Sequence, residues 1–262
     1  MKFCLKSGQI SSYLKKADEI IINYNNRFDI PKLTKKYPQA ELVLEIPPTV
    51  EWKIDELKEL YYLSKNKLKF CLPRMSDPEI IELKDAGIPF FWGYEITTGY
   101  ELEALIRLGV CEARIGAPLF FCGDFLKTCG IPLRVTPNIA HNGYIPETDG
   151  IVGSWIRPED IDMYENIFNT IEFADCDVKK EQALYRIYAE KKHWPGEIHM
   201  IISNLEDKMA LNRLLFSEDF TKTRLNCGQK CMTGGSCKIC YRLVNLANRD
   251  LIKDYAESMN LI

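Results

Sequence analysis

Four of the ten cysteines of the chain lie close together near its carboxyl end, in the stretch LNCGQKCMTGGSCKICYR at residues 225–242. Cys227, Cys231, Cys237 and Cys240 have the spacing C-x3-C-x5-C-x2-C, which is two close pairs joined by a short turn. The turn contains Gly234 and Gly235, which allow positive backbone angles. Four thiolates that converge in this way form a closed tetrahedral site. The spacing therefore predicts a metal site at residues 227–240.

The spacing leaves the kind of metal centre open. Zinc in a closed Cys4 site is structural, because no coordination position remains for a substrate. A 4Fe-4S cluster also takes four cysteines, although the spacing differs from the C-x3-C-x2-C of radical enzymes. Thiols that are free or in disulfides are the third alternative. If zinc is bound, we expect the metal to fold the carboxyl-terminal segment, which has few apolar residues of its own.

The residues around the four cysteines are basic. Residues 221–249 contain no aspartate or glutamate and include the basic residues Lys222, Arg224, Lys230, Lys238, Arg242 and Arg249. A zinc tetrathiolate has a negative charge, so part of this positive charge balances the site. The remainder predicts an anionic or nucleic-acid partner for the segment 222–249. The net charge of −3 gives no support for nucleic-acid binding by the whole chain.

A second group of polar residues follows the apolar runs in the first 190 or so residues. Glu45, Glu95, Arg114 and Arg134 each lie in or directly after such a run, and His141 lies in a loop. Side chains of these types, brought together from successive strands, can bind an anion and position a general acid or base. They can equally form a salt-bridged plug that fills the end of a barrel. No nucleophile motif such as G-x-S-x-G or H-E-x-x-H occurs.

The elements that must position these residues repeat regularly. Nine runs rich in β-branched and aromatic residues predict strands: KFCLK, EIIINYN, ELVLEIP, LKFCLPR, PFFWGYEI, EARIGAP, PLRVTPN, IVGSWI and NTIEFAD. Amphipathic segments lie between most of them, and Ser76 with Glu79 forms a capping box for one. Gly87 and Gly109 are placed to end two of these helices.

This alternation predicts a parallel α/β sheet, and its short repeat favours a compact (β/α)8 TIM-like barrel with a carboxyl-terminal four-cysteine module. Nine strands for eight places mean that one is misread or lies outside the barrel. An open doubly wound sheet is the alternative. No glycine-rich phosphate loop follows an early strand. We place the barrel at residues 1–195, and an extension with the cysteine site and a terminal helix at residues 196–262.

Composition limits the class of protein. The 262 residues are 46% hydrophobic and 27% charged, as in ordinary globular proteins. No apolar stretch reaches the roughly 20 residues that span a bilayer, and the start MKFCLKSGQI lacks the apolar core of a secretory signal. We therefore expect a cytoplasmic protein without a membrane partner, in which the scattered cysteines, such as Cys4 and Cys71, are reduced and buried.

The segments MKFCLKSGQISSYLKKADEIIINYN, ELEALIRLGVCEARIG and IPLRVTPNIAH resemble the corresponding strand and helix units of the collagenase-like peptidase superfamily. The resemblance covers about 140 residues at the level of the barrel fold. It implies a TIM barrel. Because some relatives in that superfamily hydroxylate RNA or ring compounds and hold an iron–sulfur cluster on four cysteines, it also implies iron–sulfur and RNA-modification chemistry as possibilities. In that family the four cysteines are spread more widely than here.

Two functions of different class follow. In the first, the protein is a metal-binding TIM-barrel enzyme that acts on an anionic or nucleic-acid substrate, with Glu45, Glu95, Arg114, Arg134 and His141 at the barrel mouth. In the second, it is a non-catalytic structural or interaction protein, for example a component of a larger or viral assembly. A structural zinc ion would then hold its carboxyl-terminal arm in a folded conformation.

Overall fold

A computed structural model describes residues 1–6, 14, 16–73, 76–116, 119–136, 154, 156–173, 185–191 and 218–225. Within them lie eight strands: β1 Lys2–Lys6, β2 Glu19–Asn23, β3 Glu41–Glu45, β4 Leu68–Leu72, β5 Phe90–Trp92, β6 Ala113–Ile115, β7 Leu133–Val135 and β8 Thr170–Phe173. All the paired strands are parallel, in the order β5-β4-β3-β2-β1-β8-β7-β6.

The two end strands of this order meet and close the sheet into a barrel. Ile96, just after β5, forms a parallel bridge with Ile115 of β6. The Ile96 N–H donates to the Arg114 carbonyl at 2.7 Å, and the Gly116 N–H donates to the Ile96 carbonyl at 3.0 Å. The predicted α/β barrel is therefore confirmed, and the open doubly wound sheet is excluded because its edges would not pair.

Eight of the nine predicted strands correspond to β1–β8. The additional prediction, IVGSWI at residues 151–156, is wrong for Ser154 and Ile156, which the structure describes and which belong to no strand. Ile156 is nevertheless fully buried, and its carbonyl accepts a hydrogen bond from the Tyr188 hydroxyl at 2.5 Å. Ile156 therefore packs into the core without pairing in the sheet.

Helices cover the outside of the barrel. They are α1 Ile30–Lys36, α2 Ile54–Leu63, α3 Asp77–Asp85, α4 Gly99–Leu108, α5 Gly123–Lys127, α6 Ile161–Tyr164, the helical residues 185–189 (α7) and α8 Glu218–Leu225. The predicted capping box begins α3, where the Ser76 N–H donates to the Glu79 carboxylate at 2.9 Å. Gly109 ends α4 in the left-handed conformation, with φ of 83°. No helix in the described ranges is both long and apolar enough to cross a bilayer.

The core has two parts, as expected for a closed barrel. Most buried apolar side chains lie between the sheet and the helices. A smaller cluster fills the middle of the lumen and consists of Cys4, Ile21, Val43, Cys71 and Phe91. The buried positions predicted for the Cys4 and Cys71 thiols are confirmed.

Helix α8 belongs to the predicted carboxyl-terminal extension but packs on the barrel. Thr221 has no exposed surface, and its hydroxyl donates to the Asp160 carboxylate at 3.0 Å. The Leu225 carbonyl lies against Gly123, where an added Cβ would be only 2.8 Å from its oxygen. Helix α8 therefore contacts α5 through Leu225 and the region before α6 through Thr221. The domain boundary near residue 195 stays a prediction.

Candidate active site at the barrel mouth

Two of the predicted site residues, Arg114 and Arg134, belong to a network of charged side chains inside the barrel. Alternate residues of a strand point to the same face of a sheet, so the lumen receives charged side chains from five of the strand regions. The buried members of this lumen network are Glu19, Lys69, Glu112, Arg114, Arg134 and Glu172. Three carboxylates and three cations make the network balanced in charge.

The lower part of the network lies toward the amino ends of the strands. Lys69 donates to Glu112 at 2.7 Å and to Glu19 at 3.3 Å. One amino group of Arg134 donates to the same two carboxylates, at 2.5 Å to Glu19 and 3.1 Å to Glu112. The Arg134 guanidinium also lies 4.3 Å from the centre of the Phe91 ring, which favours a cation–π contact.

The upper part joins Arg134 to Arg114 through Glu172. The second amino group of Arg134 donates to Glu172 at 3.0 Å. Arg114 places one amino group against both oxygens of Glu172, at 2.9 and 2.8 Å, and donates with the other to the Gly93 carbonyl at 2.5 Å. Arg114 is thus held in one orientation by a carboxylate and a backbone oxygen.

These ion pairs decide the protonation of the buried carboxylates. Burial alone would raise the pKa of Glu19, but Arg134 and Lys69 outweigh it and lower the pKa to about 2. Burial likewise opposes ionisation of Glu172, whereas Arg114 and Arg134 together lower its pKa. Both carboxylates are therefore ionised at neutral pH.

Arg134 lies inside the barrel rather than at its mouth, with no exposed surface. Its contacts are those of a lumen-filling residue, because its guanidinium contacts three carboxylates of the lumen network, Glu19, Glu112 and Glu172. This is the arrangement of a salt-bridged plug. A direct catalytic role for Arg134 remains a prediction that no contact of the described residues supports.

Glu95 lies where the sequence predicted it, after β5 at the carboxyl ends of the strands. It is half-buried, and its side chain crosses the end of β6. A Cβ atom built on Gly116 would lie 2.7 Å from the Cβ of Glu95 and 3.0 Å from its carboxyl carbon. Burial raises the pKa of the Glu95 carboxyl; Arg114 opposes this shift and Glu172 adds to it.

Glu45 lies at the end of β3 and is also half-buried, opposite Cys71 in the register of β3 and β4. Burial raises the pKa of the Cys71 thiol to about 11; the charge of Arg114 lowers it, and the charges of Glu172 and Glu45 raise it. Glu45 therefore faces the same part of the lumen as the Arg114–Glu172 pair. The mouth brings together Glu45, Glu95 and Arg114, while Arg134 lies beneath them.

The remaining predicted residues fall outside the described part of the chain. These are His141 and the metal ligands Cys227, Cys231, Cys237 and Cys240. Among the residues that the structure describes, no group of three or more histidine, cysteine, aspartate or glutamate side chains could hold a metal ion. The metal site and the role of His141 stay predictions.

Sequence reasoning missed the lower half of the lumen network. The prediction from strand ends included Arg114 and Arg134 but not Glu19, Lys69 and Glu112, which lie within one residue of a strand start. Strand alternation could have indicated these residues. A charged residue two positions before an inward-facing residue points into the lumen as well, as Glu19 does two positions before Ile21. Arg157, also at a predicted strand end, instead faces α8 and pairs with Asp160 at 2.5 Å.

No protein-family model and no curated protein matches the sequence. Solved structures with a similar fold include 3-keto-L-gulonate-6-phosphate decarboxylase from Vibrio cholerae, with 15% identity over 74% of this chain and 99% of that one, and a TM-score of 0.48. The 3-hexulose-6-phosphate synthase from Salmonella typhimurium has 12% identity over 73% and 100% of the two chains, with a TM-score of 0.47. A native KDPGal structure has 12% identity over 73% and 94%, with a TM-score of 0.48.

Similarities of this size carry no information about activity. None of these matches is described as a collagenase-like peptidase. The TIM barrel implied by the resemblance to that superfamily is confirmed by the strand order itself. Membership of the superfamily is supported by none of the comparisons.

Proposed function

We propose that the protein is an enzyme whose active site lies at the carboxyl ends of the barrel strands, and that Glu95 is the group that accepts or donates a proton there. Active sites of β/α barrels lie at this face, because the loops that follow the strands converge on it. Glu95 enters the mouth from this side, directly after β5.

The observation that carries the proposal is a pair of carboxylates with opposite pKa shifts beside one arginine. The pKa of Glu95 is raised and that of Glu172 is lowered, and Arg114 is a charged neighbour of both. Environments that move two neighbouring carboxyl groups apart in this way assign different roles to them. The raised pKa favours a Glu95 carboxyl that can take up and release a proton, whereas Glu172 keeps its charge and holds Arg114.

The paired cations of the lumen limit how a substrate can be bound. Arg114 and Arg134 are already neutralised by carboxylates of the lumen network, so neither is available as the main anchor for an anion. We therefore assign the binding of an anionic or nucleic-acid substrate to the basic segment 222–249. Glu45 and His141 are proposed as further polar contacts at the mouth.

The four-cysteine site belongs to the same proposal. Cys227, Cys231, Cys237 and Cys240 would hold zinc as a structural ion or a 4Fe-4S cluster. Metal content and an absorption spectrum of protein purified without oxygen separate the two: one colourless zinc per chain, or brown protein with iron and sulfide. Cys237→Ser should lose the metal while Cys129→Ser, at a half-buried thiol of the barrel, keeps it. Full metal content in Cys237→Ser would contradict the four-thiolate site.

A non-catalytic role is the second candidate, and the lumen network favours it. The charges of the lumen network pair with one another and need no ligand to neutralise them, which suits a structural or interaction protein in a larger or viral assembly. This function predicts that substitution of Glu95 changes no activity, because there is none to change. A cytoplasmic location stays a prediction under both functions.

Turnover measurements test the enzymatic proposal. Wild-type protein is incubated with phosphorylated sugars, nucleotides and short RNA oligonucleotides, and the products are followed by mass spectrometry. We expect conversion of one of these classes, reduced about 10²- to 10⁴-fold in Glu95→Gln, because a general acid or base contributes about that much. Glu103→Gln, on the outer face of α4, is the control. Equal turnover by wild type and Glu95→Gln would refute the role of Glu95, and no conversion by wild type would favour the non-catalytic function.

A further inference from the structure

We infer that Gly116 is a positioning residue for Glu95: the absence of a side chain at the end of β6 lets the Glu95 side chain fold across that strand to lie beside the Arg114–Glu172 pair. This inference rests on the proposed function for its catalytic meaning. Its structural content stands on the contacts between β5 and β6.

The closing bridge of the barrel brings the two residues together. The Gly116 N–H donates to the Ile96 carbonyl, and the Ile96 N–H donates to the Arg114 carbonyl. Glu95 directly precedes Ile96, so the backbone of residues 95–96 is held against residues 114–116. The hydrogen bonds that close the barrel fix the distance between these two backbone segments. A larger distance would weaken those hydrogen bonds.

Only glycine fits at this position with Glu95 in its present place. The nearest atoms to a Cβ on Gly116 are all in the Glu95 side chain, and the Glu95 Cβ would be 2.7 Å away. Carbon atoms pack at about 3.5–4.0 Å, so a methyl group would overlap. Because the Glu95 Cβ is fixed to the backbone, rotation of the carboxyl group alone cannot relieve the overlap.

The Glu95 carboxyl group lies among fixed charged groups, unlike a glutamate on an open loop. The charged groups that act on the Glu95 carboxyl are Arg114 of β6 and Glu172 of β8. Arg114 is itself immobilised by Glu172 and by the Gly93 carbonyl. The Glu95 carboxyl group is therefore held in one location, because Arg114 and Glu172 are fixed and Gly116 leaves room for it. Catalytic groups require such fixed positions.

A double-mutant cycle on thermal unfolding tests the contact. We expect Gly116→Ala to lower the melting temperature by about 5 °C, because overpacking strains the site. In the Glu95→Gly variant, which lacks the overlapping side chain, Gly116→Ala should lower the melting temperature much less. If Gly116→Ala alone does not fold, Glu95→Gly should restore folding. Additive effects, or a double variant that fails to fold, would overturn the inference.

Titration of the Glu95 carboxyl tests the positioning. Its NMR resonance in isotope-labelled protein is identified by its loss in Glu95→Gln. In Gly116→Ala the displaced carboxyl should titrate at lower pH than in wild type, since it leaves its buried place. Gly87→Ala is the control, because that site has φ of 65° and nothing within 4 Å of an added Cβ, so it adds strain far from Glu95. An unchanged titration in Gly116→Ala would overturn the positioning.

The failure of this inference can be separated from failure of the proposed function. If Glu95→Gln keeps full turnover while the cycle and the titration give the expected results, Gly116 positions a glutamate that is not catalytic. If Glu95→Gln loses turnover while Gly116→Ala changes neither the titration nor the cycle, Glu95 acts without help from Gly116.

Discussion

Arg134 and Glu19 lie 115 positions apart in the sequence and form a 2.5 Å ion pair in the interior of the barrel. Neither side chain has more than 1% of its surface exposed. The pair joins the amino-terminal and carboxyl-terminal halves of the barrel across the lumen. Because Arg134 also contacts Glu112 and Glu172, it is the centre of the lumen network.

Removal of the Arg134 charge should destabilise the protein strongly. Arg134→Met leaves Glu19, Glu112 and Glu172 buried with one cation fewer, and loss of one partner from a buried ion pair costs about 3–5 kcal/mol. Arg107→Met is the matched control, because Arg107 makes only a surface pair with Glu103 at 3.7 Å and should change stability by less than about 1 kcal/mol. Urea unfolding of both variants measures the difference, and equal stabilities would contradict the central role of Arg134.

Stability should fall at acidic pH through the lumen carboxylates. The pKa of Glu19 in the folded protein is about 2, below its ordinary value of 4.5, and the pKa of Glu172 is lowered too. A lowered pKa gives stability that is present above pH 4.5 and lost as the pH falls toward about 2. Unfolding free energies across this range should drop more steeply for wild type than for Glu19→Gln. Glu59→Gln, an exposed control on α2, should follow wild type.

Glu95 should have the opposite effect on stability. Burial raises the pKa of Glu95 in the folded protein. Its contribution to the free energy of unfolding is therefore fully present below the ordinary pKa of 4.5 and is lost as the pH rises through the raised pKa of the folded state. Glu95→Gln should therefore unfold at higher denaturant concentration than wild type at neutral pH. The expected gain is about 0.5–2 kcal/mol, which is the usual size for one stabilising substitution. A loss of stability at neutral pH would show that the ionised carboxylate is well accommodated.

The hydroxyl of Thr221 should anchor α8 to the barrel. It donates to Asp160 at 3.0 Å and accepts from Arg157 at 3.3 Å, in a fully buried place. Thr221→Val removes both hydrogen bonds and should cost about 1–3 kcal/mol, because the buried Arg157 guanidinium and the half-buried Asp160 carboxylate each lose a partner. Limited proteolysis should then cut the chain beyond residue 191 faster than in wild type. Thr223→Val, at a half-buried position of the same helix, should leave the cleavage rate nearly unchanged.

The barrel architecture was predictable because it depends on local patterns. Apolar runs of strand length alternate with amphipathic segments, and residues such as Ser76 and Gly109 mark helix ends through their own backbone chemistry. The strand predicted at 151–156 shows the limit of this signal, because Ser154 and Ile156 belong to no strand. An apolar run indicates burial, and Ile156 is buried by packing against Tyr188 without any strand partner.

The candidate site was only partly predictable. The structure places Glu45, Glu95 and Arg114 in or after the carboxyl-terminal parts of their strands, because parallel strands of a barrel all end at the same face, and their catalytic role stays a prediction. The same rule placed Arg134 at the mouth, although its side chain lies in the lumen among Glu19 of β2, Glu112 just before β6 and Glu172 of β8. Inward or outward direction depends on register, which a single strand does not reveal.

The sequence by itself determined the order of strands and helices and the residue types offered to the lumen, since these follow from periodicity and turn chemistry along the chain. Only the tertiary structure decided which charges pair and which glutamate keeps a raised pKa. Arg114 meets Glu172, and Glu95 meets Gly116, because closure of the barrel brings β5, β6 and β8 around one lumen. Burial and pairing are properties of that enclosed space, and no local pattern contains them.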